Sequence, residues 1–191
     1  MSEQSIFIPP HGGYKDLLSF QKAEIVYDAT VKFCADLFDR RDRTVDQMVQ
    51  AARSGKQNIV EASMASGTSK ETEIKLTNVA RASLEELLTD YRDFLRTRGA
   101  AEWPKGHPHV KRLQELNRTS GANYETFRKA VEHADPAIRA NAIIGLIKVT
   151  NFLLDQQLKR LEKDFVKQGG LRERMTRARL AERDRQGGWK P

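Results

Sequence analysis

The sequence predicts an all-α fold: an up-down antiparallel four-helix bundle with an insertion before the fourth helix and a basic helical extension after it. Apolar residues recur at helical spacing in four long stretches of the 191-residue chain. Charged residues make up 31% of the chain and aromatic residues 7%, a composition typical of long solvated helices. Most Pro and Gly residues fall outside the four stretches, in the connections and the terminal segments.

Glycines separate the N-terminal segment from the first predicted helix. Residues 1–13 contain Pro9-Pro10 and Gly12-Gly13, which predict an extended arm. The first helix is predicted from about Tyr14 to Arg41, where two rows of apolar residues follow helical spacing. Together the two rows make an apolar surface that is broader than a simple amphipathic helix needs. The bundle is expected to begin here and to occupy residues 14–168.

Capping signals predict the second and third helices. Thr44 as N-cap, with Gln47 three residues later, forms a capping box that predicts the start of the second helix. A second box, Thr68 with Glu71, predicts the third helix over about residues 69–98. Apolar residues of this helix step by four and three positions, which is typical of bundle packing. They are Ala80, Leu84, Leu87, Tyr91 and Phe94.

The helical pattern weakens between residues 99 and 135. Pro and Gly interrupt this insertion, which leaves room for short helices near Val110–Asn117 and Tyr124–His133. Asp135-Pro136 then predicts an N-cap followed by Pro at the first helical position. The fourth helix is therefore predicted from about residue 137 to residue 168.

The first half of the fourth helix is apolar on nearly every side, as is much of the first helix. A helix of this kind must be buried on nearly every side. Either the 99–135 insertion covers this surface, or a second subunit does, and we favour the subunit interface of a homo-oligomer. Asn151 interrupts the apolar seam of the fourth helix and is expected to fix helix alignment and oligomeric state.

The net charge of +7 is concentrated at one end of the chain. Residues 159–191 hold eleven Lys or Arg and five Asp or Glu, so the rest of the chain is almost neutral. Gly169-Gly170 is expected to end the fourth helix and to open a basic suffix, residues 169–191. A local basic patch of this kind attracts polyanions. The alternative is a solvated tail that docks on an acidic protein surface.

The candidate phosphate-binding residues follow from this charge distribution. Guanidinium groups bind phosphates in bidentate fashion and stay charged at any cellular pH. The suffix supplies Arg172, Arg174, Arg177, Arg179, Arg183 and Arg185. Lys22, Arg53, Lys56 and Arg81 are second-tier candidates on the bundle. No group of aromatic residues accompanies the arginines, so base-specific recognition is not expected.

Three motifs resemble those of one known family. Tyr14-Lys15-Asp16-Leu17 followed by Phe20-Gln21-Lys22-Ala23 is similar to its opening motif, in which the aromatic residue is usually Trp. Asn58-Ile59-Val60-Glu61-Ala62 resembles its second-helix signature, and Val79 to Leu87 resembles its third-helix motif. The order and spacing resemble the bacterial four-helix-bundle family first noticed as proteins encoded within 23S rRNA intervening sequences, in a member with a C-terminal suffix domain. Lys56 stands where this family often has Pro.

The resemblance implies a fold and a class of partner. Members of the family form up-down four-helix bundles that assemble into rings, typically pentamers. A related branch, the accessory proteins of diversity-generating retroelements, binds a reverse transcriptase and nucleic acid through a basic surface. The resemblance therefore implies a homo-oligomer, with a pentamer suspected, and RNA, DNA or a reverse-transcriptase-like nucleoprotein as partner.

Enzymatic chemistry is not predicted. The sequence has no Walker A, GxGxxG or GxSxG motif, and no His follows a Glu at the spacing of di-iron bundles. His107 and His109 are interpreted as loop residues and Cys34 as a core residue. Glu61 and Glu86 could share a proton or a metal across two helices, but a structural role for them is favoured. No catalytic residue, metal or cofactor is expected.

The expected location is the cytoplasm. A single cysteine fits a reducing compartment, and the sequence has neither a run of 18 apolar residues nor an N-terminal signal segment. The sequence thus predicts a non-enzymatic oligomeric scaffold that binds nucleic acid or a nucleoprotein partner through a basic surface. The alternative is a protein-interaction module that recognises an acidic partner without binding nucleic acid directly.

Overall fold

The computed structural model describes residue 8, residues 10–39 and residues 41–187, and this part of the chain is all-helical. The predicted all-α class is confirmed; most of the predicted N-terminal arm lies outside the described residues. A 3-10 turn at Tyr14–Asp16 precedes seven α-helices. They are α1 (Leu18–Leu37), α2 (Arg43–Ala65), α3 (Lys70–Thr97), α4 (Pro108–Arg118), α5 (Tyr124–Val131), α6 (Pro136–Gln168) and α7 (Leu171–Gly187).

Side-chain caps set the starts of the long helices. Asp135 Oδ1 accepts a 2.8 Å hydrogen bond from Ala137 N, and this confirms the predicted N-cap of α6. The cap predicted for α2 was wrong, because the Asp42 carboxylate lies two residues earlier and accepts from the backbone N–H of Thr44 itself. Ser69, one residue after the predicted cap, accepts from Thr72 N at the start of α3.

The four long helices pack side by side. α1 lies against α2 and α6, and α3 lies against the same two helices. Ser19 Oγ donates to Gln157 Oε1 near the start of α1, whereas Asp36 near its end pairs with Arg139. α1 and α6 therefore run in opposite directions.

Aromatic side chains fill the space between α1 and α3. The Phe33 ring lies edge-on to the rings of Tyr91 and Phe94, with centroids 5.0 and 4.8 Å away. Tyr91 is fully buried, and its hydroxyl donates a 3.1 Å hydrogen bond to Thr30 Oγ1. Thr30 in turn donates to the Val26 carbonyl, so both buried hydroxyl groups of this cluster, those of Thr30 and Tyr91, form hydrogen bonds.

Small residues bring α2 and α3 close together. Ser54 Oγ and Ser83 Oγ lie 3.0 Å apart, and Asn58 donates to Ser54 from the next turn. A Cβ placed on Gly55 would lie only 2.7 Å from Leu84 Cγ. Glycine is therefore the residue that this helix separation requires.

The 99–135 insertion covers the first half of α6. The Asn141 side chain acts like a peptide group: its Oδ1 accepts from Trp103 N and its Nδ2 donates to the Ala101 carbonyl. Phe127 and Val131 of α5 are fully buried. The surface that suggested a subunit interface is thus largely covered within one chain, which was the alternative explanation.

The apolar half of α6 is also long and apolar enough to cross a membrane by length and composition alone. It is the single candidate among the described residues, and 61% of the apolar window is buried inside the protein. Core helices of soluble proteins meet the same criteria, so this feature is weak evidence for a membrane span.

Candidate nucleic-acid interface

The helix that carries the predicted arginines, α7, is joined to α6 by two glycines. Gly169 adopts a φ of 71°, a left-handed conformation that favours glycine. Glu173 Oε2 accepts a 2.9 Å hydrogen bond from Gly170 N, and the Arg177 guanidinium donates to the Gln168 carbonyl. Every α7 residue whose side chain is described is exposed or half-exposed. α7 therefore presents most of its surface to solvent.

The six arginines of α7 do not share one environment. With 100° between successive residues, Arg172, Arg179 and Arg183 lie within about 40° of one line along the helix. In the described part of the chain, Arg172 and Arg179 form no ion pair, and Arg183 Nε is 3.9 Å from Asp184 Oδ1. We call these three residues the arginine line.

The other three arginines are more constrained. Arg177 is bonded to the Gln168 carbonyl, and Arg185 Nη2 lies 2.6 Å from Glu182 Oε2. Arg174 is half-buried, and its Nε and Nη2 atoms are shielded from solvent. All six arginines were predicted alike to contact phosphate. The spacing of seven and four residues within the arginine line was the signal that could have separated them.

The second-tier candidates on the bundle are scattered, and one of them is buried. Lys22 is only 5% exposed, and its Nζ lies 5.1 Å from the centre of the Phe127 ring. Burial lowers the pKa of this ammonium group. The proposal that Lys22 contacts phosphate is therefore corrected: α5 covers this face of α1.

The remaining candidates lie on α2 and α3. Arg53 is exposed, Lys56 Nζ lies 4.3 Å over the Tyr27 ring, and Arg81 Nε is 3.4 Å from Asp155 Oδ1. No contact described in the structure joins any of them to α7.

The two glutamates considered for catalysis are not brought together. Glu61 and Glu86 are both exposed. Because Ser54 meets Ser83 in the antiparallel α2–α3 pair, the two glutamates lie ten residues apart along the pair. That distance is about 15 Å. No group of three His, Cys, Asp or Glu side chains arranged to hold a metal occurs in the described part of the chain.

Asn151 and Cys34 lie in the environments predicted for core positions. Asn151 Nδ2 donates to Glu85 Oε2 on α3, so this side chain links α6 to α3 within one subunit. The Cys34 thiol is 1% exposed, and burial raises its pKa to about 12.

Comparison of the chain with protein-family models, with curated proteins and with solved structures found no match.

Proposed function

We propose that this protein is a non-enzymatic scaffold that binds the phosphate backbone of RNA or DNA, free or within a nucleoprotein, through α7. The observation that supports this proposal is the arginine line, three exposed arginines on one side of a helix whose surface is mostly open to solvent. Residues 159–191, which include α7, hold eleven Lys or Arg and five Asp or Glu, and the residues before them are almost neutral. The positive potential is therefore concentrated where a polyanion can reach it.

We also propose that α1, α2, α3 and α6 form an up-down antiparallel four-helix bundle that supports α7. The Ser54–Ser83 contact supports opposite directions for α2 and α3, and the Asn151–Glu85 and Asp155–Arg81 contacts support the same for α3 and α6. Short connections between α1 and α2 and between α2 and α3 fit this arrangement.

The spacing of the arginine line suits a nucleic-acid backbone. Four residues separate Arg179 from Arg183, and seven separate Arg172 from Arg179, which correspond to about 6 and 10 Å along the helix axis. An extended guanidinium group can contact two phosphate oxygens. Binding through such contacts releases counterions and therefore falls steeply as salt rises. Sequence preference is not expected, because phosphate contacts carry no base information.

Fluorescence anisotropy with a labelled 20-base-pair DNA duplex and the matching single-stranded RNA tests the proposal. The triple variant R172Q/R179Q/R183Q should bind more weakly and lower the slope of log K against log salt by about 0.9 per lost contact with duplex DNA. The control, R174Q/R177Q/R185Q, removes the same charge from the other sides of α7 and should lose less affinity. If both triple variants lose the same affinity, net charge alone explains the binding and the arginine line has no special role. Undetectable binding of the parent protein at low salt would refute the proposal.

A protein partner with an acidic surface is the second candidate. Leu171, Met175 and Ala178 form a narrow apolar seam beside the arginine line, and Met175 is 46% exposed. Such a seam flanked by cations fits an acidic amphipathic partner. Pull-down after nuclease treatment, with L171Q/M175Q as the variant, separates the two candidates. This variant should lose a protein partner but retain nucleic acid.

We further propose that the chain forms a homo-oligomer through apolar residues that α4 and α5 leave uncovered. Phe152 on α6 and Leu18 on α1 are 61% and 59% exposed, which is unusual for such large apolar side chains. Light scattering at micromolar concentration measures the assembly, and F152Q should shift it toward monomer. A monomeric mass for the parent protein would refute this proposal.

A further inference from the structure

A second basic site lies away from α7, in a cavity of about 280 Å³ between α4 and α5. Its floor is apolar and is made by Leu113, Phe127 and Ile138 from three different helices. Trp103, from the connection before α4, forms one wall. The volume is just below that of pockets that hold drug-sized ligands, about 300–1,000 Å³. The cavity can therefore enclose the body of a small molecule but not a folded segment.

The charged residues that line this cavity are all basic. Arg112 comes from α4 and Lys129 from α5, and His109 and His133 complete the rim. No acidic residue is among the described residues that line it. The lining residues therefore offer an anion at the rim cationic groups and hydrogen-bond donors.

The nearby acidic side chains are engaged elsewhere. Glu125 of α5 and Glu132, the residue that ends α5, both pair with Arg128, although each lies about one helical turn from Lys129. Glu115 lies 3.0 Å from Arg112 Nη1, but both side chains are more than 60% exposed, so this pair is weak. Lys129 has no ion pair in the described part of the chain. Arg112 and Lys129 therefore remain able to bind an external anion.

The hydrogen bond at His133 fixes which ring nitrogen can donate. His133 Nδ1 accepts a 3.0 Å hydrogen bond from the backbone N–H of Asp135. The proton of the neutral ring is consequently on Nε2, which is a donor. The rim thus combines a guanidinium, an ammonium and an imidazole N–H around an apolar floor.

We propose that this cavity binds a compact amphiphilic anion, in which a carboxylate, sulfonate or phosphate group is joined to a small aromatic or aliphatic body. The body occupies the apolar floor beside Trp103, where its burial removes apolar surface from water. The anionic group meets Arg112 and Lys129 at the rim through charge-assisted hydrogen bonds. This site is independent of α7 and of the nucleic-acid binding proposed for it.

Phenyl phosphate is a suitable probe, with inorganic phosphate and phenol as its separate halves. Isothermal titration calorimetry should show that phenyl phosphate binds more tightly than either half. Lys129→Gln should weaken phenyl phosphate binding roughly tenfold, the loss of one charge-assisted hydrogen bond. Ala130→Leu, which fills the cavity, should abolish binding. Helical circular dichroism checks that both variants are folded, and the Lys129 variant remains informative if the Ala130 variant does not fold.

Two matched controls identify the site. Lys111→Gln removes an exposed charge from α4 outside the cavity, and Lys105→Gln removes one that lines the neighbouring cavity of about 460 Å³. Both should leave the affinity unchanged, as should the R172Q/R179Q/R183Q variant of α7. The proposal is overturned if Lys129→Gln and Ala130→Leu bind phenyl phosphate like the parent, or if inorganic phosphate binds equally well.

Discussion

Substitution of Gly55 by alanine tests whether the spacing between α2 and α3 is set by a single close contact. The added methyl group would lie 2.7 Å from both Cγ and Cδ2 of Leu84, and 3.6 Å from the Ala80 carbonyl oxygen. Leu84 is fully buried, and in a close-packed core a turn of its side chain would displace neighbouring side chains. The two helices must therefore separate, or Leu84 must leave its preferred rotamer.

Two opposing effects determine how much Gly55→Ala changes the free energy of unfolding. Overpacking of a core costs about 1–3 kcal/mol, whereas replacing Gly by Ala inside a helix contributes about 1 kcal/mol of stability. We therefore expect Gly55→Ala to lower the free energy of unfolding by about 0–2 kcal/mol. In a Leu84→Ala background, which alone costs about 2–5 kcal/mol, the clash is gone and Gly55→Ala should stabilise the protein. The coupling energy between the two substitutions should be about 1–3 kcal/mol.

Urea unfolding followed by circular dichroism at 222 nm measures all four proteins of this cycle. Gly145→Ala is the matched control, because its Cβ would meet only the terminal Cδ1 atom of Leu113, at 3.2 Å. That substitution gains the same helix propensity with little clash, so it should be neutral or stabilising. A Gly55→Ala protein that is more stable than the parent, with no coupling to Leu84, would refute the close-contact argument.

Three further predictions follow from buried and paired groups. Asn141→Ala removes both hydrogen bonds that hold the α3–α4 connection, so urea unfolding should show a free energy of unfolding lower by about 2–4 kcal/mol. A decrease below about 1 kcal/mol, the contribution of one ordinary hydrogen bond, would contradict the role of Asn141 in holding this connection. Hydrogen bonds from Lys32, and then from Arg139, lower the pKa of Asp36, so its contribution to stability is present at neutral pH and lost as pH falls below about 4. Asp36→Asn should therefore lower the melting temperature at pH 7 but have little effect near pH 2. The Cys34 thiol should react with Ellman's reagent roughly 100-fold more slowly in the native protein than in urea, and rapid native labelling would contradict its burial.

Helix limits were predictable from the sequence where local chemistry determines them. Asp135-Pro136 and Gly169-Gly170 act through backbone conformation and caps within a few residues, and α6 lies between them as predicted. The cap of α2 was misplaced because Asp42 and Thr44 both suit an N-cap, and only the backbone path selects one.

Contacts between distant parts of the chain were not predictable in the same way. The sequence showed that α6 must be buried on nearly every side, but not what buries it. The answer depends on Asn141 meeting the backbone of Ala101 and Trp103, about forty residues earlier. Lys22 is covered by Phe127 for the same reason, and a lysine in a helix gives no sign of such a neighbour.

The candidate site was found in part. Charge counting located the arginines of α7, because most of the net positive charge lies in residues 159–191 and is visible in composition. The cavity beside Trp103 was not predicted, because its basic rim combines residues of α4 and α5 with His133, which follows α5. No short stretch of sequence contains that arrangement.

The pairing of α1 with α6 has a consequence for the newly made chain. Ser19 bonds to Gln157, 138 residues later, whereas Ser54 and Ser83 are separated by 29 residues. Because contacts between nearby residues form first, we expect the α2–α3 hairpin to fold early, with the core open on one side until α6 leaves the ribosome. A chain that stops at residue 135 should therefore bind more of an uncharged apolar dye than the 191-residue protein does. The solubility of this protein during synthesis then depends on the last of its core helices.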